Sequence, residues 1–447
     1  MTLNKSLVNY SLISITWLLS ALTFLQIISI VQLDILFFII VILNIILILN
    51  KLVNVIYLLP FAIILSPIFG SISFFNLNFL FSDFLLVFSI VVLLSLKGRA
   101  LIPSKNIYYM FLVLFFHFNI HYILGDLVSL KPLVSLIELI IVYCLARSCL
   151  NNIKINQFLI TTLIAISIGS ILMFGAFYLG INLNDFQGNA SKLIVNAQEF
   201  DVSDYRMSFF YTNFPFLISV SIFILLYKFK NVSNKLIKIG ILIGIILFSF
   251  ALIASGNKTS MVSVIVVFII SMMYYDRSFF SFFKNFSYII IAFFLLLSLV
   301  MNYYLNEVNT EGFIFRMLSF DSLYDRFGVY LNAWYVYIQN PLYMIIGYGP
   351  DFLTCCGVQT IAESFKYNYY TGALQGAVDS GIITFLIEFG LIISIIIIHF
   401  LINTFIRLFK NSDNINILLV QIIFFLIVSG TTQLIGLSKI SWFFVII

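Results

Sequence analysis

Four polar elements stand out from an otherwise oily chain, and their residue types suit one kind of chemistry. The longest begins at Arg326 and runs through Trp334 to Asn340-Pro341, Gly347, Gly349 and Asp351. A second is Asp204-Tyr205-Arg206 with Tyr211-Thr212-Asn213, and a third is Ser255-Gly256-Asn257-Lys258-Thr259-Ser260. The fourth is Asp379-Ser380, with Glu388 about two and a half helical turns further on. Arginines without a metal-ligand cluster suit a phosphate or diphosphate, because the guanidinium fork donates two parallel hydrogen bonds. A carboxylate at the same level can take the proton from an attacking hydroxyl. Together they fit transfer of a group from a lipid diphosphate to a hydroxyl. The leaving group there is already acidic, so charge stabilisation matters more than a general acid.

Each of these residues has a plainer competing explanation. Lys258 and Glu388 could form a buried structural pair, or the lysine could reach its charge to an interface along an apolar stem. The aromatic residues around Trp334 could simply plug a bundle. His117, His121 and His399 fall in apolar segments with no evident partner and read as structural. Cys144, Cys149, Cys355 and Cys356 show no CxxC pattern and no Cys/His spacing for a metal, and the adjacent pair Cys355-Cys356 reads as unpaired thiols.

The elements that must position these groups are set by composition. Of 447 residues, 62% are hydrophobic and 9% charged, and mean hydropathy is +1.13. Soluble domains carry about 25% charged residues, so this chain cannot cover a globule with polar side chains. The expected class is an all-α integral membrane protein. The net charge of +5 is scattered between apolar runs, which excludes a nucleic-acid footprint and marks the inner loops instead.

Apolar runs predict about 13 spans, within a range of about 12–14 transmembrane helices. The first begins near Ser11 and has no small-residue cleavage pattern after it, so it is expected to stay as a span. Residues 1–305 hold spans one to eleven, residues 306–378 form a large exterior loop, and residues 379–447 return to the membrane. Lys228, Lys230, Lys235 and Lys238 are the densest inside marker. The loop carries six acids against three bases, a net charge of −3, which agrees with an outer location.

Within the loop, Ser322-Leu323-Tyr324-Asp325 reads as a capping box for a short helix. Tyr330, Ala333, Trp334, Tyr337 and Ile338 recur at helical spacing as one apolar stripe, and Asn340-Pro341 ends the helix. Such a helix is expected to lie along the membrane surface, aromatic side down.

In this order the four elements resemble the O-antigen polymerase and O-antigen ligase superfamily of bacterial envelope glycosyltransferases. The family's Arg-x(n)-Asn element is similar to Arg206 and Asn213. Its Ser-Gly/Ser-(Arg/Lys)-Thr/Gly element is similar to Ser255 to Ser260. Its loop pattern of Arg, Trp, Asn-Pro and Gly-x-Gly is similar to Arg326, Trp334, Asn340-Pro341 and Gly347-Tyr348-Gly349. Its closing pattern is similar to Asp379-Ser380 and Glu388-Phe389-Gly390. The match covers roughly residues 200 to 395. Ligases of the superfamily carry a histidine at the end of the loop, where this chain has Asp379, and that departure favours polymerase over ligase.

The resemblance implies a metal-independent, inverting transferase with no cofactor, in the bacterial inner membrane and with its active site facing the periplasm. It would join undecaprenyl-diphosphate-linked repeat units into O-antigen or a related surface polysaccharide. Arg326 and Arg206 would hold the diphosphate, with Lys258 and Arg316 as second choices. Asn213, Trp334 and Asp325 complete the expected substrate contacts. Asp379 would be the acceptor base, with Asp321 and Asp325 as alternatives. The bilayer, the lipid-linked glycans, and a chain-length regulator and flippase of the same pathway are the implied partners. A glycan ligase, and a lipid-linked oligosaccharide flippase or other transporter, remain the alternative functions. Arg326 is expected to face Arg206, Lys258 and Asp379 across one outward cavity.

Overall fold

The computed structural model describes residues 53–65, 71–74, 77–80, 105–124, 131–148, 155–178, 214–254, 258–275, 321–349 and 381–410, with positions inside 45–48, 83–91, 352–353, 364–367 and 418–425. At 258–259 and 321–326 the description covers the backbone alone. The described chain is almost entirely helical. In order it contains α1 (Val53–Leu65), β1 (Ser71–Phe74), β2 (Leu77–Leu80), α2 (Lys105–Leu124), α3 (Lys131–Ser148), α4 (Ile155–Tyr178), α5 (Phe214–Asn231), α6 (Lys235–Ala254), α7 (Lys258–Tyr275), α8 (Asp321–Gln339), α9 (Pro341–Ile346) and α10 (Gly381–Lys410). The departure from helix is one antiparallel hairpin, β1 with β2, in register Ser71 to Leu80 and Phe74 to Leu77. It falls within the Gly/Ser/Asn-rich interval from Gly70 to Asp83, which the sequence pattern predicts to lie outside the membrane. Among the described residues, three helical segments are long and apolar enough to cross a membrane: Phe214–Asn231, Lys235–Ile253 and Gly381–His399.

Two apolar clusters organise these elements. The larger is built on α1, α4 and α5. Helix α5 is buried without a break from Phe214 to Leu226, so every face of it meets other helices and it is central. Its hydroxyls are satisfied locally: Ser219 donates to the Pro215 carbonyl at 2.9 Å and Ser221 to that of Leu217 at 3.1 Å. Thr162 and Ser170 of α4 do the same toward Phe158 and Ile166. This back-bonding lets small polar side chains sit in apolar surroundings without an orphaned donor. Helix α4 approaches closely at Gly169, where a Cβ would lie 2.9 Å from both Ile64 Cγ2 and the Phe214 ring.

Helix α6 is different. Asn234 caps its start by accepting from Leu236 N–H at 2.9 Å. One side packs on α5 through Gly244, whose added Cβ would lie 3.1 Å from Leu225, while Leu236, Ile239, Ile243 and Leu247 are exposed.

The second cluster joins α8, α9 and α10. It holds Val329, Ala333, Tyr337, Tyr348, Phe352, Leu353, Phe365 and Ile387. The expected stripe on α8 is therefore corrected. Its buried seam is Val329, Ala333 and Tyr337, at i, i+4 and i+8, while Trp334 and Ile338 are exposed. The reason is the partner: α10 and the Tyr348 ring cover one narrow seam, and a residue one position further round the helix leaves it. A second apolar face, Phe327, Leu331, Trp334, Tyr335 and Ile338, stays open. Helix α8 starts at Asp321 and stops at Gln339, one residue before Asn340-Pro341. Pro341 then opens α9, where its missing N–H costs nothing.

Candidate functional site

The site is a break in one helix filled by backbone from another segment. Helix α10 is interrupted at Gly390, whose φ of 68° and ψ of 175° are non-helical. Gly390 lies nine residues into α10, roughly 14 Å along its axis at 1.5 Å per residue. It is thus near the middle of the segment Gly381–His399 rather than at its end.

The segment Gly347-Tyr348-Gly349 docks against this break. Tyr348 N–H donates to the Ile387 carbonyl at 2.8 Å and Gly349 N–H to the Glu388 carbonyl at 3.0 Å. A broken helix leaves carbonyls without their usual donors, and here the loop supplies them. The glycines are required by space and by conformation. Gly347 has φ of 82° and Gly349 φ of 102°. A Cβ at Gly347 would collide with the backbone of Glu388, and one at Gly390 with the backbone of Gly347.

Helix α2 closes the third side. His117 Nε2 lies 3.1 Å from the Glu388 carbonyl oxygen. A carbonyl accepts only, so Nε2 carries the proton and donates. The His117 ring packs against Phe389 at 5.4 Å and against His121 at 4.6 Å, edge to face. Both histidines are buried, and a Cβ at Gly349 would stand 3.0 Å from His121 Cγ. The three elements thus meet through backbone, two imidazoles and one phenyl ring.

An aromatic box holds the docked loop. Tyr343 and Tyr348 stack at 4.4 Å with 10° between planes, Tyr348 stacks on Phe352 at 4.8 Å, and Phe365 meets Tyr348 edge-on at 5.2 Å. Asn340 Nδ2 donates to the Tyr348 hydroxyl at 2.9 Å, and Tyr337 donates its hydroxyl to the Met344 carbonyl at 2.7 Å. Asn332 Nδ2 reaches the Ser364 carbonyl at 2.6 Å. Burial pushes the Tyr337 phenol up to about 12, with Tyr348 adding to the shift. Burial also raises the Tyr348 phenol; the hydrogen bond from Asn340 opposes that, and Tyr343 adds to it. Both phenols are neutral at any physiological pH, Tyr337 as a donor to Met344 and Tyr348 as the acceptor from Asn340.

The expected site residues divide sharply. Arg206, Asn213, Arg316 and Asp379 lie outside the described residues. Lys258 opens α7, and Asp321, Asp325 and Arg326 lie in the first two turns of α8, with only their backbone described. The cavity expected to join Arg326 to Arg206, Lys258 and Asp379 therefore rests on side chains outside the description. Trp334 is exposed at 46%, tilted against Tyr337 at 5.9 Å. Asn340, Gly347, Gly349, Glu388 and Gly390 do come together. Among the described residues no group of three His, Cys, Asp or Glu side chains could hold a metal ion.

Sequence reasoning missed the histidines. It gave His117 no partner because the partner is a backbone oxygen 271 positions away, freed by a glycine in the middle of an apolar helix. The signal available was the glycine itself: Glu388-Phe389-Gly390 places a helix-weakening residue inside a candidate span. No family model and no curated protein matches this chain.

Proposed function

We propose that the protein is a multi-pass inner-membrane polymerase. It would join undecaprenyl-diphosphate-linked oligosaccharide repeats into O-antigen or a related surface polysaccharide at the outer face. The observation that carries the reading is the docking of Gly347-Tyr348-Gly349 onto Glu388-Phe389-Gly390. These are two of the four elements behind the family resemblance, far apart in sequence, and they form one backbone-paired unit. That unit ties α8, the helix bearing Arg326, to the helix that follows Asp379. Within this reading Arg326 and Arg206 clamp the diphosphate, Lys258 and Arg316 support them, and Asp379 accepts the proton of the attacking sugar hydroxyl. Trp334, exposed on α8, offers an aromatic face to a sugar ring.

The test is gel analysis of surface glycan chain length in a deletion strain, complemented with wild type or Arg326→Ala. Loss of the gene should leave single repeats, and Arg326→Ala should fail to restore the ladder while inserting at a normal level. A normal ladder in the deletion strain rejects the reading. Long polymer stranded on the carrier lipid would indicate a ligase instead.

One observation favours a second reading, a lipid-linked oligosaccharide flippase or other transporter. A helix broken near its middle, with buried histidines at the break, is the kind of element that transporters place at a central site. Repeat units accumulating on the inner face of the membrane in the deletion strain would select it.

A further inference from the structure

The Glu388 carbonyl oxygen receives two donors from two different elements. Gly349 N–H reaches it from the loop at 3.0 Å and His117 Nε2–H from α2 at 3.1 Å. The loop bond fills the place of a lost helical bond. The histidine bond does something more, because it ties α10 to a third helix at the one turn where α10 is not self-supporting. His117 is fixed on its other faces by Phe389 at 5.4 Å and by the edge of His121. His121 in turn forms the wall against which Gly349 rests. An imidazole held on three sides, with its Nε2–H aimed at the Glu388 carbonyl beside Gly390, is a latch on the break.

We propose that His117 is a positioning residue for the site. Its Nε2–H holds the Glu388–Gly390 turn in the shape that receives Gly347–Gly349, and through that turn it fixes the seat of α8 and α9. The role in catalysis rests on the polymerase reading, since α8 carries Arg326 and Trp334; the latch itself does not. Phenylalanine at position 117 would keep the ring contact with Phe389 and remove the donor. Glutamine would keep an amide N–H donor and lose the ring.

The test separates docking from activity. Ala333 is fully buried on the seam between α8 and α10. Its replacement by cysteine, in full-length protein whose four natural cysteines are serine, reports docking through labelling by a membrane-impermeant maleimide. His117→Phe should raise the labelling rate of Ala333→Cys at least about tenfold and shorten the glycan ladder. His117→Gln should keep the labelling near the parent rate and restore the longer ladder. Labelling in His117→Phe that stays at the parent rate overturns the latch, whatever the ladder shows. A parent that labels slowly but makes no polymer overturns the polymerase reading and leaves the latch standing. Should His117→Phe fail to insert, the unsubstituted protein decides. With ¹⁵N-labelled imidazoles and three histidines in the chain, the latch requires the Nε2–H form at His117, and an Nδ1–H form there overturns it.

Discussion

Gly349 and Glu388 are joined through backbone, N–H to carbonyl at 3.0 Å, and the same oxygen takes the His117 imidazole. Neither residue has this bond by virtue of its own element. Gly349 sits in a turn past α9, and the Glu388 carbonyl turns to the loop because α10 breaks two residues later. The consequence is a junction in which backbone packs directly on backbone. Such a junction tolerates no added side chain, and the glycines on it carry the most definite predictions.

Gly347→Ala should be severely destabilising. Its φ of 82° with ψ of 175° is a glycine-only conformation, worth about 1–3 kcal/mol of strain in another residue. The added Cβ also meets the Glu388 backbone. A loss of about 3 kcal/mol or more is expected in thermal unfolding of detergent-solubilised protein. Gly240→Ala is the control: nothing lies within 4 Å of its Cβ and it sits inside α6. There alanine should be neutral or stabilising by about 0.5–1 kcal/mol. Equal losses at the two positions would contradict the junction.

How far the sequence foretold this unit differs between its parts. Hydropathy predicts spans at about 108–124, 157–179 and 381–405, and α2, α4 and α10 fall within a few residues of them, because a long apolar run has few alternatives to a buried helix. Asn340-Pro341 correctly ended α8, since proline cannot continue a helix it has not opened. The seam of α8 was misread by one position. Both of its faces are apolar, so periodicity could not say whether Ala333 pairs with Val329 or with Trp334; the Tyr348 ring decided it. The docking of loop on helix was illegible, because it is made by carbonyls and amides that every residue possesses.

Tyr337→Phe should cost about 1–2 kcal/mol, as the Met344 carbonyl loses its donor at 2.7 Å. The phenol also predicts a pH dependence. Its value in the fold lies at about 12, above the ordinary 10.0. A raised value means that its contribution is complete below pH 10 and is lost as the pH climbs through about 12. In phenolate absorbance titrations, wild type minus Tyr337→Phe should show a transition near pH 12. A difference transition at 10 would place the hydroxyl in water.

Asn340→Ala should raise the Tyr348 phenol further. Its Nδ2–H donates to that hydroxyl at 2.9 Å and is what opposes the upward push of burial. Loss of the donor favours the neutral ring. The variant should therefore titrate Tyr348 at higher pH than wild type, read as a difference against Tyr348→Phe in each background. Stability should fall by about 1 kcal/mol. A downward shift would mean that Asn340 presents its carbonyl oxygen rather than its nitrogen to the ring.

Trp334 and Ala333 are neighbours in sequence and opposite in consequence. Ala333 is fully buried against α10, while Trp334 is 46% exposed on the other side of the same turn. Ala333→Leu adds three carbons to a closed seam and should cost about 1–3 kcal/mol, with activity falling only as far as folded protein does. Trp334→Ala removes a ring that is 46% exposed and rests against Tyr337 at 5.9 Å, so its cost to unfolding should be modest, on the order of 1 kcal/mol. If the open face of α8 meets a sugar, the same change should still shorten the glycan ladder. The two variants thus separate a change in chain length that follows the amount of folded protein from one that exceeds it. A Trp334→Ala protein that is both stable and fully active would remove this residue from the substrate-binding set and leave α8 a purely structural helix on that side.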